Sequence, residues 1–539
     1  MGVIARQSIK GAIANYLGVA IGFFVQFFIV TRYLKPEEIG LTRVLVDAAM
    51  LFSSLAQLGT NSSIVRFFPW FKTNPSVSPS RADSSPNLGE HLDGIGPRRA
   101  DSSPISGEQP VANHGIFGLS VLLPLAGFFI FALAFLVFRN PLLALYSEKS
   151  PLLADYFYLL PMLTFFALYT TVFETNASVL MRITVPKLVR EVGIRLFNLA
   201  TYLLYGYRVI SIDAFVWLFC GSYGLAMLLN IFYLLKITGF DLGIFRIDRR
   251  FLTRERMSEI GRYTLLMTVT VLAGNIPLFN SLFLGAKAGL ALTGVYTIAS
   301  YIANVVEVPY RSLGAISRPV ISAAVKESRW DEVNRLGRQV SLHQLMVSLL
   351  IFYLIWINVD ALFAVIPNGA SYAGGAGVVF LLGMAKVANS SLSVGTDILN
   401  YSRHYVWGLP LIVLLTASAM LLNWKLIGPM GINGSACATL LSYVLYFGLL
   451  HGFLWRRMKV CVFSREQLLM LVLAAVLLGL GEVWRLWIGP WMGLGVIADA
   501  VLKTVMLGGG AAAAVYRLRL SPTLNGMVLE AIKKLRRAQ

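Results

Sequence analysis

Three opposite-charge pairs stand four residues apart inside long apolar runs of this chain: Arg43 with Asp47, Glu307 with Arg311, and Asp499 with Lys503. Residues at that spacing share one helix face, so each pair can neutralise itself. Neutralisation matters, because an ionisable side chain at bilayer depth costs at least ~2.5 kcal/mol unless it finds a partner, a water-filled cavity or a function. Lys386 has no acid three or four residues away; Leu382, Gly383, Asn389 and Ser390 occupy those positions. Its ammonium therefore needs a carboxylate from another helix, a wet cavity or an anionic ligand. Glu174 and Asp360 also lack a local base and are candidates to meet it across a bundle. Asp397 reads as a water-facing group near a helix end. Such side chains can line a polar path for a charged solute. Catalysis is not supported, since there is no metal-spaced histidine cluster, no glycine-rich phosphate loop with a lysine, and no nucleophile with an evident base.

Within the stretch NVVEVPYRS, residues 304–312, Glu307 is the deepest charge. Counted at about 1.5 Å per residue from an outer boundary near Leu292, it lies about 20 Å into a core of about 30 Å. Pro309 follows closely and predicts a bend, with the carbonyl of Val305 left without its helical donor. Broken helices at membrane depth are tolerated where neighbours or water satisfy the backbone. A bent, charged helix predicts a cavity wall; a plain packing kink is the alternative.

The elements that must position these groups are membrane-spanning helices. Of 539 residues 57% are hydrophobic and 14% are charged, against about a quarter charged in soluble domains. Apolar runs long enough to span recur from end to end. Fourteen are expected, centred near Gly22, Met50, Gly127, Phe165, Leu199, Gly224, Val271, Ala303, Ile355, Met384, Leu414, Tyr443, Ala474 and Met506. The first follows Arg6 and Lys10, is too long for a cleavable signal core and reads as retained. With the N-terminus cytoplasmic, alternation puts 35 Lys and Arg inside and 8 outside, with Arg43, Lys386 and Lys503 within helices. That asymmetry obeys the positive-inside rule and supports the span count, because one missed helix would invert every later loop. It also explains the net charge of +19 without nucleic acid, for which no soluble basic domain exists.

Cys220, Cys437 and Cys461 have neither metal spacing nor even pairing and read as free thiols. The segment 72–114 is rich in Ser, Pro and Gly and repeats RADSSP at 81–86 and 99–104, so it reads as a disordered cytoplasmic insert. The basic segment 236–262 reads as the connector between halves. Residues 327–338 are expected as a short surface helix, and 517–539 as a basic amphipathic tail attracted to anionic membrane lipids.

The N-terminal 69 residues, MGVIARQSIKGAIANYLGVAIGFFVQFFIVTRYLKPEEIGLTRVLVDAAMLFSSLAQLGTNSSIVRFFP, resemble bacterial polysaccharide flippases of the multidrug/oligosaccharidyl-lipid/polysaccharide (MOP) exporter superfamily. TGVYTIASYIANVVEVPYRSLGAISRPVISAA and LLNWKLIGPMGINGSACATLLSYVL extend the likeness into the second half, and all but 72–114 is covered. The resemblance implies an all-α polytopic protein of the bacterial inner membrane with both termini cytoplasmic. It implies two six-helix lobes (1–236 and 237–459) around a central cavity, two extra helices (460–516), and the tail. It further implies alternating access, with the lobes rocking about a site near the midplane. The implied cargo is a polyprenyl-diphosphate-linked oligosaccharide, handled beside other polysaccharide assembly proteins. The chain's own charges, with no family residues carried over, make Arg43, Arg66, Glu307, Arg311 and Lys386 the candidate cavity residues and Glu174, Glu307 and Asp397 the candidate coupling residues. No metal or cofactor is called for beyond a coupling H+ or Na+. A cation-coupled drug exporter, a peptidoglycan-precursor flippase and, less well, a membrane glycan polymerase remain as alternatives.

Overall fold

The computed structural model describes residues 17–71, 116–240, 245, 254–273 and 275–518. The insert 72–114 with its repeats, residues 241–244 and 246–253 of the connector, and the tail beyond Leu518 lie outside them. All regular structure among the described residues is helical, and every one of the fourteen expected centres falls in a helix. In chain order these are α1 (Leu17–Tyr33), α2 (Pro36–Ala56), α3 (Ile116–Ser147), α4 (Pro151–Val179), α5 (Ile194–Gly206), α6 (Ile212–Ile237), α7 in two pieces (Arg254–Ala273 and Ile276–Lys287) and α8 (Leu290–Asn304). There follow α9 (Trp330–Ile357), α10 (Ala373–Tyr401), α11 and α12 as the two arms of Tyr405–Met458, α13 (Arg465–Met492) and α14 (Val496–Arg517).

Local chemistry explains the breaks. The turn between α11 and α12 falls at Gly431, whose φ of 56° and ψ of −133° suit a residue without Cβ, two positions after Pro429. Beyond α8 the chain passes through a 3₁₀ turn, Val305–Glu307, into a further helix, Val308–Lys326, with Pro309 in its first turn. Proline is tolerated there because its missing donor was unpaired anyway. The tighter turn also corrects an expectation: the Val305 carbonyl accepts from the Val308 N–H and is not left unbonded. A second correction concerns 327–338. From Trp330 these residues are the first turns of α9 itself, a continuous helix of 28 residues, and not a separate surface helix.

The lobes meet along α2 and α8. Gly40 and Gly294 permit this approach, since a Cβ at Gly40 would stand 2.0 Å from the Leu290 carbonyl oxygen and one at Gly294 1.9 Å from that of Pro36. Asn368, in the α9–α10 loop, donates to the Thr31 carbonyl at 2.9 Å and tightens the same end. At the opposite end the Ser63 and Thr264 hydroxyls join the lobes at 2.7 Å. The perimeter is apolar and uncovered: Leu136 of α3 is 71% exposed and Trp491 of α13 is 86% exposed. An uncovered apolar belt of this extent belongs in lipid, and the protein is a multi-span membrane protein.

Candidate functional site

A cavity of about 300 Å³ lies inside the first lobe, between α1, α2, α4, α5 and α6, and is closed by Thr297 and Tyr301 of α8. Its polar lining includes Gln26, Arg43, Arg190, Glu191, Arg195 and Asn198. Arg43 Nε sits 2.6 Å from Asp47 Oδ2, so this predicted pair forms. The same Asp47 oxygen accepts from the Ser281 hydroxyl of α7 at 2.5 Å, which ties the cavity wall to the other lobe.

Arg190 and Arg195 were not singled out in the sequence. Five residues apart on a regular helix, at about 100° per residue, they point well away from each other. A π turn at Val189–Gly193 leads into α5. Its wider i→i+5 winding brings them onto one side. Arg190 Nη1 lies 2.8 Å from Glu174 and Arg190 Nε 3.3 Å from Glu191, while Arg195 Nη2 lies 3.1 Å from Glu191. Two arginines thus grip Glu191 from either side. Arg195 Nη1 and Asn198 Oδ1 are buried with no hydrogen-bond partner among the described residues. Unmet polar atoms in a cavity carry a desolvation cost that a bound ligand or water can relieve.

The second lobe holds two further clusters. Lys386 Nζ lies 3.1 Å from Glu307 Oε2, and Asn389 Nδ2 donates to Glu307 Oε1 at 2.8 Å. Both charged side chains are nearly covered, at 13% and 12% exposure. Lys386 therefore finds its carboxylate in Glu307, and not in Glu174 or Asp360, which pair with Arg190 and Arg485. The expected Glu307–Arg311 pair does not form; Arg311 is exposed and makes no ion pair among the described residues. The Glu307 carboxylate is taken instead by Lys386 and Asn389 from across the bundle. Asp397 is not merely water-facing, since it accepts from Arg318 Nε at 3.2 Å, and Arg318 also donates to the Tyr310 hydroxyl at 2.8 Å. Asp499 and Lys503 pair as expected, at 2.9 Å. Arg66 is exposed, with its guanidinium 4.4 Å from the ring centre of Tyr263, outside the cavity lining.

Between these groups runs a neutral buried network. Asn280 of α7 donates to the Tyr296 hydroxyl (3.0 Å) and the Thr439 hydroxyl (2.9 Å); Asn423 donates to Asn280 (3.0 Å) and accepts from Ser435 (2.7 Å). Cys220, Cys437 and Cys461 are free. No group of three or more His, Cys, Asp or Glu that could hold a metal ion occurs among the described residues.

The sequence matches no protein-family model and no curated protein. Solved structures do match. The chain is similar to the lipid II flippase MurJ in an inward closed conformation, with a TM-score of 0.63 at 10% identity, over 95% of this chain and 100% of that one. It is also similar to an inward-facing multidrug-resistance MATE transporter of the MOP superfamily, with a TM-score of 0.57 at 16% identity, over 85% of this chain and 98% of that one. At these identities the likeness is one of fold: an all-helical, multi-span fold shared with these two structures.

Proposed function

We propose that this protein flips a polyprenyl-diphosphate-linked oligosaccharide from the cytoplasmic to the outer leaflet of the bacterial inner membrane, for assembly of a surface polysaccharide. The observation that carries this reading is the first-lobe cavity, lined by Arg43, Arg190 and Arg195, which Asp47, Glu174 and Glu191 hold in place while Arg195 Nη1 stays buried without a hydrogen-bond partner among the described residues. A diphosphate entering a bilayer loses its hydration. Guanidinium groups replace it best, because their planar forks match phosphate oxygens two at a time. A site for cationic drugs would call for an unmet carboxylate oxygen, whereas the unmet charged group here is the Arg195 guanidinium. Glycan hydroxyls suit the lining amides and hydroxyls, and the prenyl chain stays in lipid.

Each remaining site residue takes a part in this scheme. Arg66 and Arg311, both exposed, serve first capture at the cytoplasmic mouth, and Lys386 serves from the second lobe. Glu174, Glu307 and Asp397 each lie against a base. Uptake of a proton by any of them frees Arg190, Lys386 or Arg318 for the anion, and loss of that proton restores the pair and expels the cargo. The site would thereby be most cationic when loaded.

The test is reconstitution into liposomes carrying a polyprenyl-diphosphate oligosaccharide, with transbilayer movement read by an external glycan-modifying enzyme. Movement above that in protein-free liposomes, reduced at least tenfold in Arg195→Gln at unchanged protein level, is the expected result. Failure to move this lipid, with expulsion of a cationic dye under an ion gradient, would instead assign the fold to drug export.

A further inference from the structure

A second lipid-facing feature lies far from the cationic cavity, on the seam between α9 and α13. At the seam's basic end is a cavity of about 720 Å³ lined by Asp331, Arg335, Arg338, Lys459 and Glu466 among others. Farther along is an apolar cavity of about 220 Å³ lined by Met346, Leu349, Tyr353, Met470, Leu473 and Leu477 with residues of α14. The two are consecutive stretches of the same helix faces. On α9 the order Asp331, Arg335, Arg338, Leu342, Met346, Leu349, Tyr353 advances by three or four residues throughout, which keeps one face. On α13 the order Glu466, Met470, Leu473, Leu477 does the same. At about 1.5 Å per residue, the polar cavity gives way to the apolar one within about 6 Å.

The polar end is a built structure. Asn334 pins the loop that closes it, accepting from the Cys461 N–H at 2.8 Å and donating to the Lys459 carbonyl at 3.4 Å. Arg338 Nε donates to the Cys461 carbonyl at 2.9 Å. Lys459 is held in a left-handed conformation, φ 55°, at the end of α12, and its side chain lines the cavity. The apolar end opens on the perimeter beside Leu350, Leu469 and Tyr516, all exposed.

We propose that this seam holds a structural phospholipid whose headgroup carries both a phosphate and an ammonium, with one acyl chain in the apolar cavity. The sign pattern selects the headgroup. Arg335, Arg338 and Lys459 answer a phosphate, and charge-assisted contacts of this kind are the strong ones. Asp331 and Glu466 then answer an ammonium, whereas a purely anionic headgroup leaves both carboxylates facing like charge. The positive-inside assignment puts this end at the cytoplasmic leaflet. The site is separate from the proposed flipping cavity, and its occupancy can be read without any transport.

The experiment is native mass spectrometry of the full-length protein, delipidated and then given phosphatidylethanolamine, phosphatidylglycerol or the soluble headgroup glycerophosphoethanolamine at matched concentrations. Retention of phosphatidylethanolamine at least tenfold above phosphatidylglycerol is expected. Lys459→Gln and Leu473→Trp, which alter the head and tail ends separately, should each remove at least nine-tenths of that retention. Equal or tighter binding of phosphatidylglycerol would overturn the headgroup assignment. Binding of the soluble headgroup as tightly as the lipid would reduce the site to a phosphate pocket. Retention unchanged in both variants would place the lipid elsewhere.

Discussion

Replacing Lys386 by methionine removes one member of an ion pair whose side chains are 13% and 12% exposed. Breaking a buried pair from one side costs about 3–5 kcal/mol, because the other charge is left uncompensated. Glu307 keeps its bond from Asn389 at 2.8 Å, which offsets about 1 kcal/mol of that loss. The net expectation is a destabilisation of about 2–4 kcal/mol for Lys386→Met, and a comparable loss for Glu307→Gln. The double variant removes both charges and should lie within about 1 kcal/mol of the parent, as apolar or neutral replacements of buried pairs commonly do. The coupling energy is therefore at least about 3 kcal/mol. Equilibrium unfolding in mixed micelles with graded denaturing detergent measures it. Two single-variant losses that simply add, within about 0.5 kcal/mol, would refute the pairing. The same four proteins separate structure from transport: a stable double variant that no longer flips lipid-linked oligosaccharide shows that the pair serves transport beyond its part in stability.

Three further outcomes follow from the geometry. Gly294→Val places a side chain where even a Cβ would lie 1.9 Å from the Pro36 carbonyl oxygen, so α2 and α8 must part at that end; a cysteine at the buried Leu290 should then react with a water-soluble maleimide several-fold faster, and an unchanged rate would speak against this contact as a seal. Asn280→Ala strips Asn423 and Thr439 of partners within a buried network, which should cost about 1–3 kcal/mol in the same unfolding titration, whereas a loss below about 0.5 kcal/mol would mean the network is slack. Asp47→Asn keeps a side chain able to bond Ser281 but discharges the partner of Arg43; oligosaccharide lipid should still bind while flipping falls at least tenfold, and normal flipping would remove Asp47 from the transport cycle.

The spans were legible because they depend on composition summed over about twenty residues, a signal that tertiary context cannot reverse. The pairs Arg43–Asp47 and Asp499–Lys503 were legible for a similar reason, since each lies within one regular helix. What could not be read depended on distant partners and on departures from regular winding. Glu307 is taken by Lys386, 79 residues away, and the π turn at Val189–Gly193 gathers Arg190 and Arg195. The excess of bases in the sequence RITVPKLVREVGIR was visible all along. The positive-inside count treats it as loop charge, and only the helix that starts within it brings two of its arginines into the cavity lining.

Asp47 occupies a singular position in this arrangement. One of its oxygens serves both Arg43, in the wall of the cationic cavity, and Ser281, on the first helix of the other lobe. An anion that draws Arg43 toward itself leaves a buried carboxylate with a single hydroxyl for company. A carboxylate so placed regains stability by taking a proton or by moving toward water. Either response alters the contact between lobes at the level of the cavity, while the Gly40 and Gly294 crossings hold one end and Ser63 with Thr264 the other. Cargo occupancy and lobe position then share one free-energy term, as a ligand-driven shift between two states requires: the ligand must interact differently with each state. Under the proposed function, a cavity of the same charge without that shared carboxylate would bind a diphosphate equally well, yet binding alone would give the lobes no reason to move.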